Sequence, residues 1–278
     1  MELNELIQRS PIRIFEKSLH GGLKPGEIGI IASPNGVGKT SVLVQLAMDK
    51  LLQGKKVIHV SFTQNNQYVP LWYEDIFTEF TRKKNLENAA EIKNDLVKNR
   101  VLMNFNQDGV TKDQILKSLR AMIVEGGFKA DSIIIDGFDF SRQCKASKNR
   151  SDSLNDQVIA ENENNIQSCF SRVKDFAVEI GLSIWYSCSV EDDGCLQYDK
   201  ENIPVVLGKL IDNIDVVIIL QPKSESSPSK KSDSSRIPET SAGNTAYVEL
   251  SISKDRGAIV SKSMAMKLDP KTLLILEA

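Results

Sequence analysis

The sequence predicts an α/β fold: a mostly parallel twisted sheet, helices on both faces, and antiparallel strands closing the C-terminus. Three observations predict it. Short β-branched runs alternate with longer amphipathic stretches. One such run leads through a glycine-containing turn straight into a helix. After residue 215 the helical pattern stops and only strand-like runs remain.

The strand-like runs are 28–32, 56–62, 100–105, 131–136, 182–187, 215–220 and 247–253. Between the early ones, 40–53, 69–84, 111–125 and 156–180 carry apolar residues at helical spacing. Strands alternating with helices join by right-handed crossovers, and the sheet they form is buried on both faces. The runs 247–253, 261–268 and 272–276 follow one another without a helix, so they read as antiparallel closing strands. No internal repeat is visible.

Composition sets outer limits. The 278 residues hold 35 Lys+Arg against 37 Asp+Glu, a formal charge of −2, so bulk electrostatic coating of nucleic acid is excluded and any such contact must be local. Cys144, Cys169, Cys188 and Cys195 form no C-x-x-C pair, and the two histidines, His20 and His59, stand at no metal-ligand spacing, which argues against zinc or haem attachment. Residues 1–18 are broken by six charged side chains, so they read as neither a signal peptide nor a membrane span. The expectation is a soluble cytoplasmic protein with no membrane partner.

The chain reads as one domain over 1–278. Its least foldable stretch is 222–244, with eight serines and three prolines, expected as a mobile excursion between two strands. A second polar segment, 141–155, carries Arg142, Lys145, Lys148 and Arg150 against the single Asp152.

The strongest chemical signal is Ser33-Pro34-Asn35-Gly36-Val37-Gly38-Lys39-Thr40 between a strand and a helix. In that context backbone N–H groups from Asn35 through Gly36, Val37, Gly38, Lys39 and Thr40 to Ser41 can cradle phosphate, because glycine permits close approach and a helix N-terminus offers unpaired donors. Lys39 would reach the β- and γ-phosphates, and the Thr40 hydroxyl would ligate Mg²⁺. Ser33 stands where the phosphate-loop pattern begins with glycine. A matching second element is Ser132-Ile133-Ile134-Ile135-Asp136, an apolar strand ending in a carboxylate suited to the metal's second ligand position.

Together with Gly21-Gly22-Leu23-Lys24-Pro25-Gly26-Glu27 before the first strand, these motifs resemble the RecA/KaiC/DnaB-type P-loop ATPase core, with the stand-alone hexameric helicases and KaiC-like proteins most similar in character. The resemblance runs from about residue 12 to about residue 261. It implies a RecA-like P-loop NTPase fold binding ATP and Mg²⁺, assembled as a homo-oligomeric ring or filament with nucleotide at the subunit interface. Lys254-Asp255-Arg256-Gly257 resembles the family's Lys-x-Arg element, which reaches a neighbour's γ-phosphate. Turn chemistry gives the same four residues a second reading, a charged hairpin turn.

One departure bears on the reaction. The family's second strand ends in a Glu that activates water, and here the aligned position is Thr63, followed by Gln64. Gln64 can orient a water but cannot accept its proton as a carboxylate does. Weak or conditional hydrolysis is therefore expected, with Glu74 and Asp139 as substitutes that are poorly placed in sequence. Tyr68, Trp72 and Tyr73 read either as an adenine-stacking group or as core. The basic segment 141–155 falls where the family's loops grip nucleic acid; a solvated charged loop is the other reading. Three classes follow from these features: an ATP-driven enzyme acting on nucleic acid, a nucleotide-dependent assembly module without hydrolysis, and a phosphate-transferring kinase. The last lacks any visible acceptor site.

Overall fold

The computed structural model describes residues 7–8, 10–62, 68–84, 88–106, 112–140, 156–192, 195–223 and 247–277. Thr63, Gln64, the basic segment 141–155 and most of the serine-rich stretch lie outside them.

A nine-stranded sheet organises the chain. Its strands are β1 (Ile28–Ser33), β2 (Val57–Ser61), β3 (Arg100–Asn104), β4 (Ser132–Asp136), β5 (Ser183–Ser189), β8 (Val216–Lys223), β9 (Tyr247–Asp255), β10 (Ala258–Leu268) and β11 (Ile275–Glu277); β6 (Glu191–Asp192) and β7 (Cys195–Leu196) form a separate hairpin. The order across the sheet is β11-β10-β9-β8-β1-β5-β4-β2-β3. From β3 to β8 the neighbours are parallel, and β8 to β11 are antiparallel. This is the α/β arrangement with antiparallel closing strands expected of the sequence. β5 lies between the strand that carries the phosphate loop and the strand that ends in Asp136.

The helices are α1 (Pro11–Ser18), α2 (Lys39–Leu52), α3 (Tyr68–Lys84), α4 (Ala89–Lys98), α5 (Lys112–Arg120, continued by a π-helical turn over Ala121–Glu125) and α6 (Asp156–Ile180). α1 begins where its sequence dictates: the Ser10 hydroxyl accepts from the Ile12 amide at 3.3 Å and Pro11 supplies the preset φ of the first turn. It was not evident from periodicity, being only two turns long. α4 is not marked by periodicity either, since of its ten residues Leu96 alone is buried.

Both faces of the sheet are covered. On one, Leu43, Val44 and Ala47 of α2 pack on Ile31, Ile134, Trp185 and Ile218; on the other, Ile30, Ile133, Ile135 and Ile184 meet Leu119, Phe176 and Leu207. Ile30, Ile133 and Ile184 are fully buried. Each is worth about 1.5–3 kcal/mol against exposure, so the central strands are the rigid floor on which the loops stand. Among the described residues no helix is long and apolar enough to cross a membrane.

Candidate functional site

The site is built at the C-terminal edge of β1. Gly36 and Gly38 adopt φ of +76° and +113°, values that side chains disfavour, and these two turns bend the chain back over the start of α2. Gly38 is also fixed by space, since a Cβ there would come within 2.5 Å of the Leu268 side chain. The first intrahelical bond is Val42 N–H to Gly38 O at 3.1 Å, and no side chain caps the helix. The amides of Lys39, Thr40 and Ser41 thus have no acceptor within the helix, as at any helix N-terminus.

Lys39 is folded back onto the first two residues of the loop. Its ammonium donates to Ser33 O (2.9 Å), Ser33 Oγ (3.3 Å) and Pro34 O (2.8 Å). The serine at the first loop position therefore adds an acceptor that glycine would not have. Burial pushes the Lys39 ammonium below its ordinary value, against the opposing pull of the Asp136 and Glu191 carboxylates. The Cys188 thiol is itself buried and pushed up to about 12, so it stays neutral.

Thr40 Oγ1 donates to Asp136 Oδ2 at 2.8 Å, across two elements 96 residues apart. The register explains the meeting: Ser61 pairs with Asp136, and Asp136 O accepts from the Phe62 amide at 2.9 Å, which fixes the end of β4 beneath the loop. A hydroxyl beside a buried carboxylate is an all-oxygen donor set of the kind that suits Mg²⁺. The loop also fits an anion on direct observation: the Asn35 amide already donates to a carboxylate oxygen, Oε2 of Glu191, at 3.0 Å. Sequence reasoning missed Glu191. It follows β5 by two residues, and nothing local marks it.

The other candidates fall elsewhere. Val37 packs at the edge of the core, and the Ser41 hydroxyl turns away from the loop to the Leu273 carbonyl. Lys254 and Arg256 lie at the opposite edge of the sheet, because Asp255 is level with Val216 and Val216 with Gly29 at the start of β1. Lys254 is 6% exposed and donates to the Ile211 carbonyl. Arg256 occupies the two-residue turn joining β9 and β10, with φ +51° followed by +98° at Gly257. Its guanidinium is spent within the chain on Glu27, Asp255 and the carbonyls of Leu19 and Gly22.

Of the aromatics, Tyr73 is core: its hydroxyl meets His59 Nδ1 at 3.1 Å and its ring lies under Arg100 at 4.0 Å. Trp72 packs against that core, and Tyr68 is exposed. Glu74 is on the surface, paired with Lys93.

A strand, a phosphate-binding turn, a helix N-terminus and a carboxylate at the end of a nearby parallel strand define a P-loop nucleotide-binding protein. A family profile described as an AAA domain matches residues 4–169, more than half of the chain, and the protein belongs to that family of P-loop ATPases. No curated protein matches it.

Proposed function

We propose that the protein binds Mg·ATP in the loop Asn35–Ser41 and hydrolyses it slowly. The observation that carries this reading is the Thr40–Asp136 contact at 2.8 Å at the start of a helix whose first amides have no acceptor within it. Lys39 would leave Ser33 and Pro34 for the β- and γ-phosphates, Thr40 and Asp136 would hold Mg²⁺, and the helix amides would take the β-phosphate. Bound Mg²⁺ would supply neutralising charge to the phosphates. Binding of a fluorescent ATP analogue, with and without Mg²⁺, tests it. Lys39→Ala removes a charge-assisted contact of about 1.5–3 kcal/mol and is expected to weaken binding about 10- to 150-fold. Equal binding by the variant, or none by the native protein, overturns the assignment.

Self-association into a ring or filament, and contact with nucleic acid through 141–155, belong to the same reading and rest on the resemblance to RecA-type ATPases. Sedimentation with and without Mg·ATP tests the first. Phosphate release with and without single-stranded DNA tests the second.

A further inference from the structure

Glu191 reaches the phosphate loop by construction. β5 is the strand between β1 and β4, and its last residue, Ser189, pairs with Ser33. The next amide, Val190, donates to Ser33 O at 3.2 Å, and Gln197 N–H donates to Val190 O at 3.0 Å from the returning limb of the β6–β7 hairpin. The backbone is therefore held on both sides immediately before Glu191, whose carboxylate accepts from Asn35 N–H at 3.0 Å.

The limb it touches is informative. Lys39, the side chain that must reach the outer phosphates, is folded onto Ser33 and Pro34, the same limb of the loop. Glu191 is close enough to that ammonium to oppose the effect of its burial, so a terminal phosphate held by Lys39 would have Glu191 beside it. Of the two carboxylates considered from sequence, Glu74 is half exposed and paired with Lys93 on α4, and Asp139, just after β4, is near enough to Cys188 to raise its thiol, but only Glu191 is seen on a loop amide among the described residues.

Resting on the reading that the loop binds Mg·ATP, we infer that Glu191 is the catalytic carboxylate, doing from the end of β5 the work that RecA-type ATPases give to a residue after β2. A phosphate oxygen takes over the Asn35 amide and frees the carboxylate for the water outside the γ-phosphate. The water oxygen bonds to the γ-phosphorus and one of its protons passes to Glu191. The bond from the bridging oxygen to the γ-phosphorus breaks, and its electron pair leaves with ADP. The proton then returns to solvent.

Glu191→Gln tests this in two measurements on the full chain: binding of a fluorescent non-hydrolysable ATP analogue, and single-turnover phosphate release from ATP. Loss of a general base is expected to slow release by about 10²–10⁴-fold. Analogue binding should be retained or tightened, because a negative charge leaves the anion cradle. Glu191→Asp should recover part of the rate, which a merely space-filling role would not require. Native binding together with a Gln-variant rate within about threefold of the native overturns the assignment and leaves Glu191 as an occupant that nucleotide displaces. Native binding with no phosphate release, with or without single-stranded DNA, overturns it as well. Failure of the native protein to bind the analogue would instead bring down the nucleotide reading, and this inference with it.

Discussion

Arg256 and Glu27 form a two-point ion pair, Nε to Oε1 at 2.7 Å and Nη2 to Oε2 at 3.0 Å, across 229 residues of chain. Arg256 Nη1 and Nη2 also cap the carbonyls of Leu19 and Gly22 at 3.1 and 2.7 Å. One guanidinium thus ties the β9–β10 turn to the glycine-rich lead-in of β1. Arg256→Ala is expected to lose about 2–3 kcal/mol, since it strands a partly buried carboxylate and two carbonyls. Urea unfolding measures this, and Arg256→Lys should recover little because an ammonium cannot match the fork. An Ala variant as stable as the native protein would show the guanidinium free for another partner.

His59 carries the pH dependence. It is fully buried, bonded to Tyr73 through Nδ1, with no partner at Nε2 among the described residues, and burial pushes its pKa down to about 4. The unfolded chain takes up this proton near 6.5 and the folded one resists it until about 4, so stability is whole above 6.5 and falls as pH drops through that window. The loss approaches about 3 kcal/mol at the acid end. His59→Gln should flatten the slope of unfolding free energy against pH between 6.5 and 4.

Gln45 holds the last strand. Its Nε2 donates to Leu273 O at 2.8 Å and its Oε1 accepts from Ile275 N–H at 2.8 Å, so one buried amide satisfies both sides of the chain entering β11. Gln45→Ala leaves the Ile275 amide unpaired and is expected to destabilise by about 1–3 kcal/mol. Hydrogen exchange should show Ile275 losing protection before the central strands do.

What was legible in the sequence follows from how far the chemistry reaches along the chain. The phosphate loop and Asp136 could be recognised because each is encoded in a few consecutive residues with its own strand. Glu191 could not be, because its meeting with Asn35 depends on β5 inserting between β1 and β4, a choice of strand order that no local pattern records. Lys254-Asp255-Arg256-Gly257 supported two readings for a related reason: a turn and a finger share the same residues, and the partner that engages Arg256, Glu27, lies at the far end of the sequence. Tyr73 reads from sequence either as an adenine-stacking ring or as core, and its contacts with His59 and Arg100, on β2 and β3, place it in the core.

The strand order also sets a timetable. β1 precedes the other described strands in the chain, yet both its neighbours, β5 and β8, come late. Asn35 and Glu191 are 156 residues apart. At about 5–20 residues per second, a ribosome needs roughly 8–30 s to make the chain between them. Until then β1 has neither flank to pair with, its isoleucines Ile28, Ile30 and Ile31 wait for the strands that cover them, and the Asn35–Glu191 contact can form only after β5 has been made.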